Sequence, residues 1–224
     1  DTRIDDVTDV KTVFPERSRP DGSYYSFDFT LDELHQLSLT PTAVPGPMPL
    51  ALSRPHLPIT ALDDFLSVVE LVSADFATPP TLIFVLKHGW RHQQEDKDLG
   101  AVVLETLSRY RAATGTAALM IGSYDPEELQ QLAQSTDPGA TDAIGFMQLI
   151  GADDGREVQR LEFGTYQPYN YDLLFTRFGL KAVSGYADSL GLSFGSNERK
   201  IYPAFFIREI MRPTQSVLCV GSIK

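Results

Sequence analysis

The chain has 224 residues, of which 42% are hydrophobic and 22% charged, a balance that buries one sizeable core and excludes a disordered or solenoid-repeat protein. A formal net charge of -11, with no dense Lys/Arg cluster to reverse it locally, argues against nucleic-acid and anionic-membrane binding. The single cysteine, Cys219, excludes an intrachain disulfide framework, four histidines with one cysteine fit no structural zinc spacing, and no apolar stretch approaches the roughly 20 residues that cross a bilayer.

The amino terminus, Asp1-Thr2-Arg3, begins neither with Met nor with a signal-like segment, so translation is expected to start upstream. Thr30 with Glu33 places an N-cap acceptor three residues before a carboxylate and predicts a helix start. Pro41, Pro45, Pro47, Pro49, Pro55 and Pro58 fix φ and remove backbone donors too often for a helix or central strand, so residues 41–58 are expected to form a long, stiff surface loop. Thr60 with Asp63 repeats the cap signal, and Leu62, Phe65, Leu66, Val69 and Val72 follow at helical spacing.

Leu82 to Leu86 is an aliphatic run of buried-strand length. Beyond it, His88 and His92 flank Trp90, and without a nearby cluster of ligands they are expected to pack and to hydrogen-bond at the surface. Glu95, Asp96 and Asp98 offer oxygen ligands but lack the remaining positions of an EF-hand loop; they read as negative charge at a helix N-terminus. That helix presents Leu99, Val102, Thr106 and Tyr110 at helical spacing.

Strands are expected again at Ala118 to Ile121, Ile144 to Ile150, Leu190 to Phe194 and Val217 to Val220, and Asp125-Pro126 with Glu128 marks a further helix start. Tyr166, Tyr169, Tyr171 and Phe175 around Asn170 form either a loop packed over the site or a partner surface. Cys219, inside the last run, is expected to behave as a small buried hydrophobe with a raised pKa. Alternating strands and helices predict an α/β fold, either a (β/α) barrel or a doubly wound sheet, which periodicity does not separate.

Several blocks in register resemble bacterial glycerophosphodiester phosphodiesterases of the periplasmic type: Asp6 to Val10, Phe14-Pro15, Asp21 to Leu34, Trp90 to Asp98, Ser123-Tyr124-Asp125, Gln148-Leu149-Ile150, Tyr169 to Asp172 and Tyr186-Ala187-Asp188. The resemblance covers most of the chain and fades after about Gly195. It implies a TIM-barrel-like (β/α) fold, partial or open as given, over a single domain 1–224. It also implies a reaction that cleaves glycerophosphodiesters to glycerol 3-phosphate and an alcohol with a pair of histidines and a divalent cation, usually Ca or Mg. Periplasmic localisation is that family's habit, with an organelle as the eukaryotic counterpart.

Against that pattern the chain departs at several positions. The family's first histidine, in a His-Arg-Gly turn, and its Glu-x-Asp metal strand would lie upstream of Asp1, and Asp1 resembles the aspartate of the His-Asp pair that holds the second histidine. The family's Glu-(Ile/Leu)-Lys motif has Val85 in place of the glutamate, although Lys87 is retained, and Gly122 stands where a glutamine is usual. Cys219-Val220-Gly221-Ser222 replaces a His-Pro-Tyr motif, and the family's last strand is absent, so the barrel is expected to stop short of closure.

The expectation is therefore an inactive phosphodiesterase-like subunit of a larger assembly. It has no catalytic residues, no metal ligands and no cofactor, Lys87 is a candidate residual anion site that a solvated or carboxylate-paired lysine explains as well, and protein partners cover the open sheet edges. An active metal-dependent phosphodiesterase, with another carboxylate replacing the lost ligand, and a non-catalytic phosphodiester or anion binder are the alternatives.

Overall fold

Backbone pairing follows chain order. The computed structural model describes residues 3–40, 57–73, 81–114, 118–136, 144–151, 155, 157–194 and 216–221. Its strands are β1 (Thr81–Leu86), β2 (Ala118–Ser123), β3 (Gly145–Ile150), β4 (Gln159–Glu162), β5 (Thr165–Pro168), β6 (Ser189–Phe194) and β7 (Ser216–Gly221). All five strands expected from the aliphatic runs are present. They form one parallel sheet in the order β1-β2-β3-β6-β7, and β4 with β5 forms a separate antiparallel hairpin. A doubly wound sheet reverses its order at a switch point, whereas here each strand lies beside its successor, as in the wall of a TIM-like (β/α) barrel.

The backbone contacts divide the chain into two units, residues 1–71 and 72–223. The first contains α1 (Val10–Val13), α2 (Leu31–Leu34) and most of α3 (Leu62–Ser73). Ile4, Val10, Tyr24 and Leu37 are its buried core, with Phe14, Phe29, Leu34 and Ile59 packed around them. Antiparallel bridges Arg3–Tyr25, Thr8–Leu39 and Ser38–Pro58 tie it together. The Thr30 capping box forms as expected: the Glu33 N–H donates to Thr30 Oγ1 at 3.3 Å and the Thr30 N–H donates to Glu33 Oε2 at 2.8 Å.

Asp5, with no exposed side-chain surface, accepts from Arg3 at 2.7 and 3.0 Å and pairs with Lys11 at 3.0 Å. The Arg3 hydrogen bond, opposed by burial and aided by Lys11, holds this carboxyl well below the usual range. On α3 only Leu66 of the expected stripe is buried, and Phe65 and Val72 are exposed. The proline-rich loop falls at 41–56 outside the described residues, and Leu57 and Pro58 continue from it into the pairing with Ser38 and Leu39.

In the second unit, α4 (Gly89–Gln93) and α5 (Leu99–Thr114) follow β1, α6 (Pro126–Ser135) follows β2, and α7 (Arg177–Val183) precedes β6. In-register neighbours in a parallel sheet point the same way, so Leu86, Ile121, Ser123, Gln148, Ile150 and Leu190 share one face and Ile83, Val85, Met120, Gly122, Met147, Leu149 and Gly191 the other. Helices cover the first face: Ile150 and Leu190 pack with Leu180 and Val183 of α7, and Leu129 and Leu132 of α6 are buried.

The buried stripe of α5 differs from the expectation. Leu104 and Leu107 are buried, and Val102 is exposed. Gly100 decides this, because its missing side chain admits Leu132 of α6, whose Cδ1 would stand 3.1 Å from any β-carbon there, and this contact turns the Gly100–Leu104–Leu107 line inward.

A β-carbon at Gly179, in the first turn of α7, would meet the carbonyl oxygen of Leu173 and stand 2.8 Å from Leu174 Cα, both fixed backbone. Gly179→Ala is expected to cost about 2 kcal/mol, read as a lower urea midpoint at unchanged slope.

Candidate functional site

Residues at the carboxyl ends of β1 to β3 form the place where barrels of this order hold ligands. On the face opposite the helices, the expected ligand positions are apolar. Val85 is 43% exposed and Ile83 is 37% exposed, and a β-carbon on Gly122 would stand 3.4 Å from Leu149 Cδ1 and 3.7 Å from Ile83 Cγ2. A hard cation needs carboxylate or carbonyl oxygens, and this patch of valine, isoleucine, leucine and glycine supplies no side-chain oxygen. These four residues do not by themselves fit a calcium or magnesium ion. Among the described residues, no three His, Cys, Asp or Glu side chains group as metal ligands.

Lys87, one step beyond β1, is half-exposed, and its ammonium lies 3.8 Å from Glu157 Oε1. The other Glu157 oxygen is buried without a hydrogen-bond partner. His88 begins α4 in the left-handed region at φ 56°, and burial pushes both His88 and His92 below the ordinary histidine value. They are half-buried side chains around Trp90, which is itself buried beneath the Tyr166 ring at 5.5 Å and the Arg91 guanidinium at 4.5 Å.

On the helix-covered face the same strand ends carry a polar network. Asp125 caps α6, accepting from the Glu127 and Glu128 N–H groups at 2.9 and 3.3 Å, as its sequence position predicts. Its carboxylate also receives the Arg160 guanidinium from β4, one bond at 2.7 Å, and Arg160 lies over the Tyr169 ring at 5.4 Å. The Ser123 hydroxyl donates to Glu128 Oε2 at 2.6 Å and accepts from the Asp125 N–H at 3.0 Å. Gln148, fully buried, donates to the carbonyls of Ser123, Tyr124 and Leu149, and its own carbonyl accepts from Tyr186 OH at 2.8 Å. Burial drives the Glu128 carboxyl up to about 7, with Asp125 and Asp98 adding repulsion and the Ser123 hydroxyl and Arg160 opposing it.

Of the residues singled out in the sequence, Lys87 and Val85 meet at this mouth, whereas Glu95, Asp96 and Asp98 lie exposed ahead of α5, where Asp98 Oδ1 accepts from the Ala101 N–H at 2.8 Å. In the aromatic group, Tyr171 is buried and Tyr169 and Phe175 pack on the same core, which lies against α7 on the helix-covered face rather than over the mouth, and Asn170 accepts from the Asp172 N–H at 2.9 Å. Tyr166 instead belongs to β5. Sequence reasoning missed that hairpin, whose signal was a two-residue Phe163-Gly164 turn between alternating segments. It also missed the Glu128–Ser123 pair. Cys219 lies on β7, and its side chain falls outside the described residues.

No family model matches the chain. It is 28% identical over 198 residues, 84% of its length, to a glycerophosphodiester phosphodiesterase of Treponema pallidum (strain Nichols). It is also 28% identical over 197 residues to a glycerophosphodiester phosphodiesterase of Haemophilus influenzae (strain ATCC 51907 / DSM 11121 / KW20 / Rd). The chain is thus similar over most of its length to curated glycerophosphodiester phosphodiesterases. It spans about half the length of the curated relatives it matches, 55% of the first and 54% of the second. This chain, similar to those phosphodiesterases, places Val85, Gly122 and Leu149 together at the carboxyl end of its sheet.

Two stability tests follow from the network. Arg160→Ala leaves Asp125, with a side chain only 4% exposed, without its cation, at an expected cost of about 3 kcal/mol by urea unfolding. Glu128 binds its proton more tightly in the folded protein, at about 7, than at its ordinary 4.5, so stability is full at low pH and falls as pH rises from 4.5 to 7. The loss is about 3 kcal/mol once the group is fully ionised, and Glu128→Gln is expected to flatten it between pH 5 and pH 8.

Proposed function

We propose that this chain is a phosphodiesterase-like barrel wall that does not hydrolyse phosphodiesters and that serves as a structural or interaction subunit. The observation that carries this reading is the apolar patch of Val85, Ile83, Gly122 and Leu149 at the end of the sheet where a hydrolytic site would need oxygen ligands. Hydrolysis of a phosphodiester by this family's chemistry requires a cation on the phosphate oxygens and imidazoles to move protons. His88 and His92 lie around Trp90 rather than beside a carboxylate cluster.

The interaction role is supported by the sheet. β1 stands at one end of the strand order, with Ile83 and Val85 exposed on the face opposite the helices. An apolar edge strand of this kind is a template for pairing, and a protein partner that adds strands there would bury it.

The test uses the full-length protein from which this sequence comes. Incubated with glycerophosphocholine and Ca or Mg, it is expected to release no glycerol 3-phosphate above the blank, and native mass spectrometry is expected to find it in a stoichiometric assembly. Cation-dependent release would establish the active phosphodiesterase instead. Saturable binding of glycerophosphocholine without turnover, lost in Lys87→Ala, would establish the anion binder. A free monomer would overturn the subunit role.

A further inference from the structure

The buried end of Glu128 touches a turn that the fold needs to keep closed. A β-carbon on Gly89 would run into Glu128 Oε1 and stand 2.9 Å from its carboxyl carbon, so the α6 carboxyl is packed directly on the backbone at the start of α4. Gly89 is buried, His88 before it is held in the left-handed region at φ 56°, and Trp90 after it is 6% exposed with an indole N–H that has no hydrogen-bond partner. A left-handed histidine and an unsatisfied buried donor both cost free energy, so this segment stays in place only while its surroundings hold it.

We propose that Glu128 is a pH-responsive latch on the segment Lys87–Gln93: protonated, it closes the Gly89 turn against α6; ionised, it releases the turn and opens the carboxyl end of the sheet at Lys87. Burial, with the two acidic neighbours, makes ionisation of Glu128 unfavourable, while the Ser123 hydroxyl and Arg160 oppose that effect. Asp125 at the head of α6 and Asp98 ahead of α5 repel its charge, the Ser123 hydroxyl from β2 donates to it, and Arg160 from β4 is engaged by Asp125 and Glu127. On the turn itself the charged neighbours are Lys87, His88, Arg91 and His92, and burial holds both histidines neutral to a lower pH than usual. The titration of Glu128 near pH 7 supports the same reading, because it puts the release inside the physiological range.

Trp90 is the only tryptophan in this sequence and reports the turn directly. Its emission, obtained by subtracting the Trp90→Phe spectrum from that of the intact protein, is expected to shift to the red between pH 5 and pH 9 with a midpoint near 7. Glu128→Gln, which keeps the shape and removes the charge, is expected to hold the low-pH spectrum throughout. Ser123→Ala removes the hydroxyl that favours the ionised form and is expected to move the midpoint upward. An unchanged spectrum across this range in a folded protein overturns the latch, as does a transition that persists in Glu128→Gln and vanishes in His88→Gln.

Discussion

The register of the parallel sheet is the constraint on which the carboxyl-end chemistry depends. Pairing Val85 with Gly122 and Gly122 with Met147 puts these residues on one face, and it thereby sends Leu86, Ser123 and Gln148 to the other. Ser123 can hold Glu128 only because it points at α6, and Gln148 can bridge three carbonyls only because it lies on that same side. A slip of one residue in β2 would bring Gly122 under the helices and turn Ser123 toward the open face, which would dismantle the network and cap an apolar patch with a hydroxyl.

That network also explains how a hairpin inserted between β3 and β6 stays attached. Arg160 on β4 spans from Asp125 at the head of α6 to the Tyr169 ring, and Tyr166 on β5 covers Trp90. Buried polar groups are expensive unless every member finds a partner. Gln148, Ser123 and Asp125 all do, whereas Arg160 Nε is buried without a hydrogen bond and the Glu128 carboxyl, with one hydroxyl donor, has acidic neighbours. A carboxyl buried in these surroundings is where titration can move structure.

The five sheet strands were legible because each is a short aliphatic run between polar or glycine-containing segments, and the caps at Thr30 and Asp125 were legible because their chemistry is local. The inward face of α5 was not. Val102 and Leu104 are equally apolar, and the choice between them is made by Leu132 arriving over Gly100 from another helix. The β4–β5 hairpin was hidden because Phe163 occupies a left-handed turn position that sequence rules reserve for asparagine or glycine. At the site, Val85 and Gly122 could be read against a family motif, whereas Glu128 looked like an ordinary first-turn carboxylate. What the sequence could not show is that Gly89, on the far side of α5 in the chain, leaves the space into which that carboxylate is buried.

The apolar residues Val85 and Gly122 and the cation Lys87 have opposite electrostatic consequences at the carboxyl end of the sheet. Carboxylates grouped for a cation repel one another when the cation is away, and valine and glycine add no such repulsion. Lys87 beside these apolar residues has Glu157 as a carboxylate neighbour. At 3.8 Å, with Lys87 half-exposed, that pair contributes well under about 1 kcal/mol, so it neutralises the mouth without locking it. Release of the Gly89 turn would move Lys87 away from Glu157 at little cost, and the strength of the latch is thus set on the helix side of the sheet, by how Glu128 is buried.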